Sequence, residues 1–408
     1  MLELQYDDDG ATGAVPPLGD YRPGPHGHRP YLTAIDALVR ELAGDDLVQV
    51  SAAQVSVGGR RCTDYVLAGD LTGLPAVLDD DQAAALTAGA AAAIEAIGPH
   101  GAFAPDAGGL PWDRTFHDIG RQHTGAPFHD LLIEPLAAKA LPGGTSSVIA
   151  ALHRKIWLPL FHPVTAWEAS ADRLTYRPER PFWSVAGGGM GEVVRRLVQR
   201  VTDAPLVRVR HEGPLVAVAA EGGRTLLRFE SGAELPAATP VLGVGPEELF
   251  AAAGQAYAVD KVPAAMVWID VPDGDVHDLP SVLFSAEPEV GAFRVTESLA
   301  DVRPGFRTVC VEVACTVERE RWEATAQAAL EDLGVVRPGA AVEVVAAAGR
   351  PAFAVPSAAS RAAFAVARAG LDALHLPALV VGGATAFAVD SFNEQVVQGL
   401  AAAEARSA

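Results

Sequence analysis

Histidine is the side chain best suited to acid–base chemistry near neutral pH, and this sequence spaces its histidines in two distinct ways. His26 and His28 lie two residues apart in Pro25-His26-Gly27-His28-Arg29-Pro30. On an extended backbone that offset puts both imidazoles on one side, able to face one ligand as general acid and base. The flanking prolines support a plainer reading, a rigid turn. His117, His123 and His129 recur every six residues, with His153 and His162 beyond them. Six matches neither the three- nor the four-residue offset of a metal pair on one helix face, so no metal site is expected. These five are expected to be scattered surface or interface histidines. Arg154 and Lys155, beside His153, suit either an anionic substrate or a solvated helix face.

Ser391 and Glu394 carry a second kind of signal. Their Ser-x-x-Glu spacing predicts a capped helix start, with Phe392, Val396, Val397 and Leu400 as its apolar face. A helix N-terminus carries about half a positive charge and suits an anion or an electron-rich ring. The run Gly187-Gly188-Gly189-Met190-Gly191 is a glycine-rich turn, but Glu192 stands where a Gly-x-Gly-x-x-Gly phosphate turn needs its third glycine. The sequence has no Gly-x-Ser-x-Gly elbow, His-Glu-x-x-His or Gly-Lys-Ser/Thr motif, so hydrolase and nucleotidase readings have no support. Cys310 and Cys315 fall in one strand-like run at an odd offset, on opposite faces, which argues against a disulfide between them.

The elements around these residues are those of a globular protein of two or three domains, 408 residues long and half apolar. Acidic residues outnumber basic ones 51 to 31, for a net charge of −20, a surface that repels nucleic acid and anionic lipid. Only Lys139, Lys155 and Lys261 are lysines, and with the alanine-rich composition this points to a GC-rich bacterial genome. The acidic start lacks an apolar signal core, and the Ala-rich stretch 82–97 is too short to span a bilayer, so the expected location is cytoplasmic. Helical spacing is read over 31–43, 82–97, several stretches of 114–170, the segment after Gly191, and 320–332. Strands are read in 206–230 and at 240–244, 264–271, 281–285, 292–297, 307–317 and 341–346, with a last strand–helix unit over 378–404.

Several segments, in order, resemble the flavin amine oxidase, protoporphyrinogen oxidase and phytoene desaturase superfamily. Asp20 to His28 is similar to its aromatic-x-x-Gly-Pro-His segment, followed by a helix ending Val39-Arg40-Glu41-Leu42. Thr115 to Lys155, with Pro135-Leu136-Ala137-Ala138-Lys139, resembles the helical substrate-domain segment of protoporphyrinogen oxidases and UDP-galactopyranose mutases. Gly188-Gly189-Met190-Gly191 resembles its Gly-Gly-Met turn, and Thr239 to Pro246 its strand ending in proline. The closing segment 378–404 resembles the family's last strand and helix, with Gly382 at its Gly-Asp pair and Gly383 in place of the Asp.

The resemblance implies an α/β fold: a truncated Rossmann-like FAD-binding domain (1–70, 181–260 and 375–408) with an interleaved α+β substrate domain (71–180 and 261–374). It implies FAD contacts at Gly188, Gly189, Met190, Gly382, Gly383, Ser391 and Asn393, and a cavity between the domains lined near His26 and His28. Leu2-Glu3-Leu4 and Asp9 to Gly13 align with the family's second strand and its following turn, so the first strand and its glycine turn are expected to be missing. FAD binding is then expected to be impaired or lost. The sheet edge beside residues 2–6 would stay open to residues 2–20, to a second copy or to a partner chain. Three functions follow: an oxidoreductase acting on a small or lipophilic metabolite in secondary metabolism, an FAD-independent isomerase or cyclase using His26 and His28, or a non-catalytic partner subunit.

Overall fold

The structure is a computed structural model that describes residues 30–104, 110–175, 182–187, 189–298, 303–389 and 391–407. The described chain opens with helix α1 (Pro30–Ala43), started by its proline, and strand β1 (Leu47–Val50). Strands β2 (Gln54–Val57) and β3 (Arg60–Thr63) form a hairpin. Its two-residue turn, Gly58-Gly59, has φ of 58° and 72°, the left-handed pair that a tight hairpin requires. Helix α2 (Asp80–Ile97) starts on a reciprocal capping box between Asp79 and Gln82. Helices α3 (Phe116–Thr124), α4 (Ala126–Phe128), α5 (Glu134–Ala140) and α6 (Pro163–Ser170) follow, before strand β4 (Phe182–Val185), which pairs antiparallel with β1.

Helix α7 (Gly189–Thr202) leads to the strands β5 (Leu215–Glu221), β6 (Arg224–Phe229) and β7 (Glu234–Ala237), an antiparallel meander. Strand β8 (Val241–Leu242) and helix α8 (Pro246–Ala252) precede the long β9 (Lys261–Pro272), then β10 (Val282–Ser285), β11 (Ala292–Ser298) and β12 (Phe306–Val313). Helix α9 (Trp322–Asp332), strand β13 (Glu343–Ala354), helix α10 (Ala358–Asp372), strand β14 (Leu379–Val380) and helix α11 (Phe392–Ser407) complete the chain. The strands read from the sequence between 264 and 317 are thus present. One ends early: β12 stops at Val313, so Cys315 lies beyond the strand that holds Cys310. Both are free thiols, as is Cys62.

The chain divides into two compact units. The first contains Ala43–Val194 and Lys261–Val355. Its centre is a mixed seven-stranded sheet in the order β13-β9-β12-β11-β10-β2-β3, in which β10 and β2 run parallel and every other pair antiparallel. Both faces are buried. Val282 and Phe284 enter the core shared with the helices of 80–170, while Leu283 between them joins the core under α9. Alternation along β10 therefore serves two cores at once.

The second unit contains residues 30–42, Arg195–Asp260 and Pro356–Ala408. Here β14 and β8 pair in parallel, and Leu249, Phe250, Phe364, Ala367 and Leu371 form the core. Phe250, Tyr257 and Phe364 pack edge-on, with centroids 5.1 to 6.0 Å apart, a favoured arrangement of aromatic rings. The architecture is mixed α/β, as the sequence implies.

Candidate functional site

The first unit gathers His117, His129, Glu134 and Thr145 at one point, and the local backbone explains how. Thr115 caps α3 through Asp118 N–H and so sets His117 in the first turn. Gly125 breaks the helix with φ 83°, and a Cβ there would lie 2.6 Å from the Gly89 carbonyl carbon of α2. Only glycine allows that approach. The chain restarts at Pro127 and widens into a π-helical turn over His129–Ile133 before α5 opens on Glu134. Such π turns often occur where side chains are placed for function. Thr145 arrives on a short 3₁₀ turn, Gly144–Ser147. Gly144 sits at φ 52° against the Glu134 carboxylate, and Gly120 sits against His129 Nδ1, each where a Cβ would collide.

Thr145 Oγ1 is the hub. It lies 3.0 Å from His129 Nε2 and 3.3 Å from His117 Nδ1, and it donates to Glu134 Oε2. Thr145 N–H donates to the same oxygen at 3.2 Å. A hydroxyl has one proton and two lone pairs, so with that proton given to Glu134 this pattern assigns both ring nitrogens as donors toward Thr145. Glu134 Oε2 also stands 3.6 Å from His129 Nε2 and 3.9 Å from His117 Nδ1. Burial pushes the Glu134 carboxyl up, but hydrogen bonds from His129 and Thr145 outweigh it and hold it below its ordinary value. His129 and Thr145 are fully buried, while the side chains of His117 and Glu134 are about one-third exposed.

The other core histidines are structural. His123 Nε2 accepts the Ala102 N–H, and burial pushes the ring down to about 4. His153 stacks on Phe116 at 5.0 Å, its Nδ1 meets Leu158 O at 2.5 Å, and burial pushes it down to about 3. Both stay neutral near pH 7. The expectation of surface histidines therefore fails for His123, His129 and His153, which are core residues. Between His123 and His129 the left-handed Gly125 ends α3, so helical offsets do not apply across that interval.

Lys139 is a second perturbed group. It is buried at the end of α5, and its Nζ donates to Ser285 O at 2.9 Å and Ser285 Oγ at 2.8 Å. Burial lowers the amine to about 7 against a weaker opposing pull from Glu287. Glu287 is itself held by Ser56 Oγ and Gly59 N–H, both at 2.8 Å. The β10–β2 register sets Ser285 beside Ser56 and so brings this polar group together.

In the second unit the Gly382 turn meets helix α11. Gly382 has φ 80° with open space where a Cβ would be. Its N–H donates to Gln398 Oε1 at 2.5 Å, and Thr385 Oγ1 donates to the same atom at 3.0 Å. Those two donors fix the amide orientation and leave Gln398 Nε2 buried with no acceptor among the described residues. The capping box is present: Ser391 N and Oγ donate to Glu394 Oε2 at 2.9 and 2.8 Å, and Glu394 N donates to Ser391 Oγ at 3.3 Å. The buried face of α11 differs from the apolar stripe expected. Glu394, Gln398 and Ala402 are buried, Val396 and Val397 are half-buried, and Leu400 is exposed.

Of the residues singled out in the sequence, His26, His28 and Gly188 lie outside the described residues. Gly189 opens α7 at φ 55°, with Met190 next to it. Gly382 and Gly383 form the 3₁₀ turn Gly382–Ala384, Ser391 caps α11, and Asn393 lies in its first turn. No sequence motif marks Glu134, Thr145 or Gln398. The Gly143-Gly144 pair before Thr145 was a visible sign of a close approach.

No family model matches the sequence, and no curated protein matches it. Solved structures do. A reduced UDP-galactopyranose mutase is similar over 90% of this chain and 79% of its own, at 13% identity and TM-score 0.67. A putrescine oxidase bound to putrescine is similar over 93% and 86%, at 17% identity and TM-score 0.54. A CLA-producing fatty acid isomerase from P. acnes is similar over 92% and 84%, at 11% identity and TM-score 0.51.

Proposed function

From a chain with the fold of the FAD-dependent amine oxidase-like superfamily, we propose an enzyme acting on a small or lipophilic metabolite in bacterial secondary metabolism, with FAD held weakly by these 408 residues. The observation that carries the cofactor part is Gln398 Nε2, a buried amide donor without an acceptor among the described residues. It borders Gly382, a left-handed residue with open space where a Cβ would be. A buried unsatisfied donor costs about 1–3 kcal/mol, so a ligand that brings an oxygen acceptor to it regains that energy. The isoalloxazine and ribityl groups of FAD carry such acceptors, so this turn fits the cofactor. Gly188, Gly189, Met190, Gly383, Ser391 and Asn393 are the further residues that would hold it by resemblance. When bound, FAD supplies hydride acceptance, and the protein supplies binding and orientation.

The phosphate end is where retention is weak. The 408 residues contain no Gly-x-Gly-x-x-Gly turn. Backbone donors of that turn contribute charge-assisted hydrogen bonds of roughly 1.5–3 kcal/mol each, and several are lost together. The test is a titration of the purified protein with FAD, followed by absorbance, beside the Gln398→Leu variant. Weak saturable binding that the variant loses while it stays folded, at a melting temperature lowered because Gly382 N–H and Thr385 Oγ1 lose their shared acceptor, supports the site. Equal binding by both proteins removes Gln398 from it.

A second reading is favoured by two of the structural neighbours, a mutase and an isomerase, whose names describe rearrangement. Here the chain rearranges its substrate without FAD, and His26 and His28 transfer the proton. The His26→Ala/His28→Ala double variant should then lose turnover at least tenfold, with little change in melting temperature. Full activity of the double variant contradicts this reading.

A further inference from the structure

We propose that His117, His129 and Glu134 form a site for a divalent first-row transition ion, zinc above all, with the Thr145 hydroxyl holding its centre when no ion is bound. Two imidazoles and one carboxylate are a donor set that zinc accepts with one position left open. Here they come from three nearby segments: α3, the π turn and the start of α5. One ring nitrogen from each histidine and a Glu134 oxygen all lie within 4.8 Å of one another.

The ring geometry supports the assignment. The two imidazoles have centroids 5.3 Å apart and are inclined at 87°. Zinc bonds nitrogen at roughly 2.0–2.1 Å, so two imidazoles on one tetrahedral ion have centroids about 5.2 Å apart. The observed spacing therefore needs no rearrangement of the helices. The carboxylate distances of 3.6 and 3.9 Å exceed the ligand-to-ligand spacing of a closed site by only a few tenths of an ångström. Small side-chain rotations close that gap.

Thr145 explains what the arrangement holds without an ion. Its oxygen meets the same three groups that an ion would meet. As donor to the carboxylate and acceptor from both rings it is a tetrahedral stand-in, with its own Cβ in the fourth direction. Metal binding asks the hydroxyl to rotate away and the two donor nitrogens to give up their protons, so the hydroxyl competes with the ion. The partial exposure of His117 and Glu134 gives the ion a path and a free coordination position. His129 Nδ1 is buried without a hydrogen-bond partner among the described residues. The ring thus lacks the outer partner that normally strengthens a metal-binding histidine, and affinity should be micromolar rather than picomolar.

The probe is Co²⁺ added to the full-length protein, followed by its visible d–d bands, with Zn²⁺ as competitor. Intense tetrahedral-type bands at one Co²⁺ per chain, displaced by Zn²⁺, are expected. His117→Ala and Glu134→Gln, both at partly exposed side chains, should each weaken binding 10- to 100-fold with the fold retained. Thr145→Ala should tighten it several-fold, because the competing hydroxyl is gone. No Co²⁺ or Zn²⁺ binding by either wild type or Thr145→Ala overturns the site. Binding that survives both His117→Ala and Glu134→Gln overturns it equally, since the ion then lies elsewhere.

Discussion

Lys139 shows how one residue can set a pH dependence for the whole chain. Its amine is pushed from an ordinary 10.5 down to about 7 in the folded protein. Between those values the unfolded chain carries a proton that the folded chain has released. The penalty for burying the charge is therefore full below about pH 7, and it is relieved as pH rises toward 10.5. The expected slope of unfolding free energy from this group is about +1.4 kcal/mol per pH unit inside that window. Urea unfolding of wild type and Lys139→Met at pH values below, within and above the window should show the variant lacking that rise. Parallel pH profiles for the two proteins would mean that Lys139 keeps its charge when buried. Nothing in the sequence marked this lysine beyond its place in a family-like segment. Its perturbation comes from burial, here against Ser285, 146 residues away in the chain, which no local pattern encodes.

At the scale of elements, glycine positions govern what could and could not be read. Gly125 approaches the α2 backbone at Gly89 and holds a left-handed φ, so two costs of a side chain coincide there. Gly125→Ala should destabilise by about 2–4 kcal/mol in chemical denaturation and disturb the His129 turn behind it. Gly89→Ala should be milder, since its Cβ meets Pro127 Cδ at 3.1 Å and alanine is favoured in a helix by about 1 kcal/mol. Equal losses in both variants would contradict this account of the contact. Ser391→Ala removes the cap of α11 and should cost about 1 kcal/mol, read as a lowered melting temperature. The capping box was legible because it is local, as were β9 to β12 from alternation and α9 from helical spacing. The buried face of α11 was not. Gln398 is buried because Gly382 and Thr385 need its oxygen, a tertiary demand that overrides apolar periodicity. The His117–Glu134 grouping was hidden for a related reason: a left-handed glycine and a π turn reset the helical phase between its members.

The whole molecule is a mixed α/β chain whose two units follow a fold found in a mutase, an oxidase and an isomerase. No helix among the described residues is long and apolar enough to cross a membrane. The sequence pointed to this fold through an ordered set of short motifs, each weak alone, and the structural similarity spans 90% or more of the chain. It pointed less well to the site, because the fold brings its polar groups together from loops and helix ends whose meeting no single motif records. How the chain treats flavin is the property that separates these functions. The direct measurement is flavin content per chain in protein purified without added cofactor, followed by equilibrium titration with FAD. The prediction is a colourless protein, far below one flavin per chain, that takes up FAD only weakly and reversibly. One tightly bound flavin per chain, retained through purification, would contradict it.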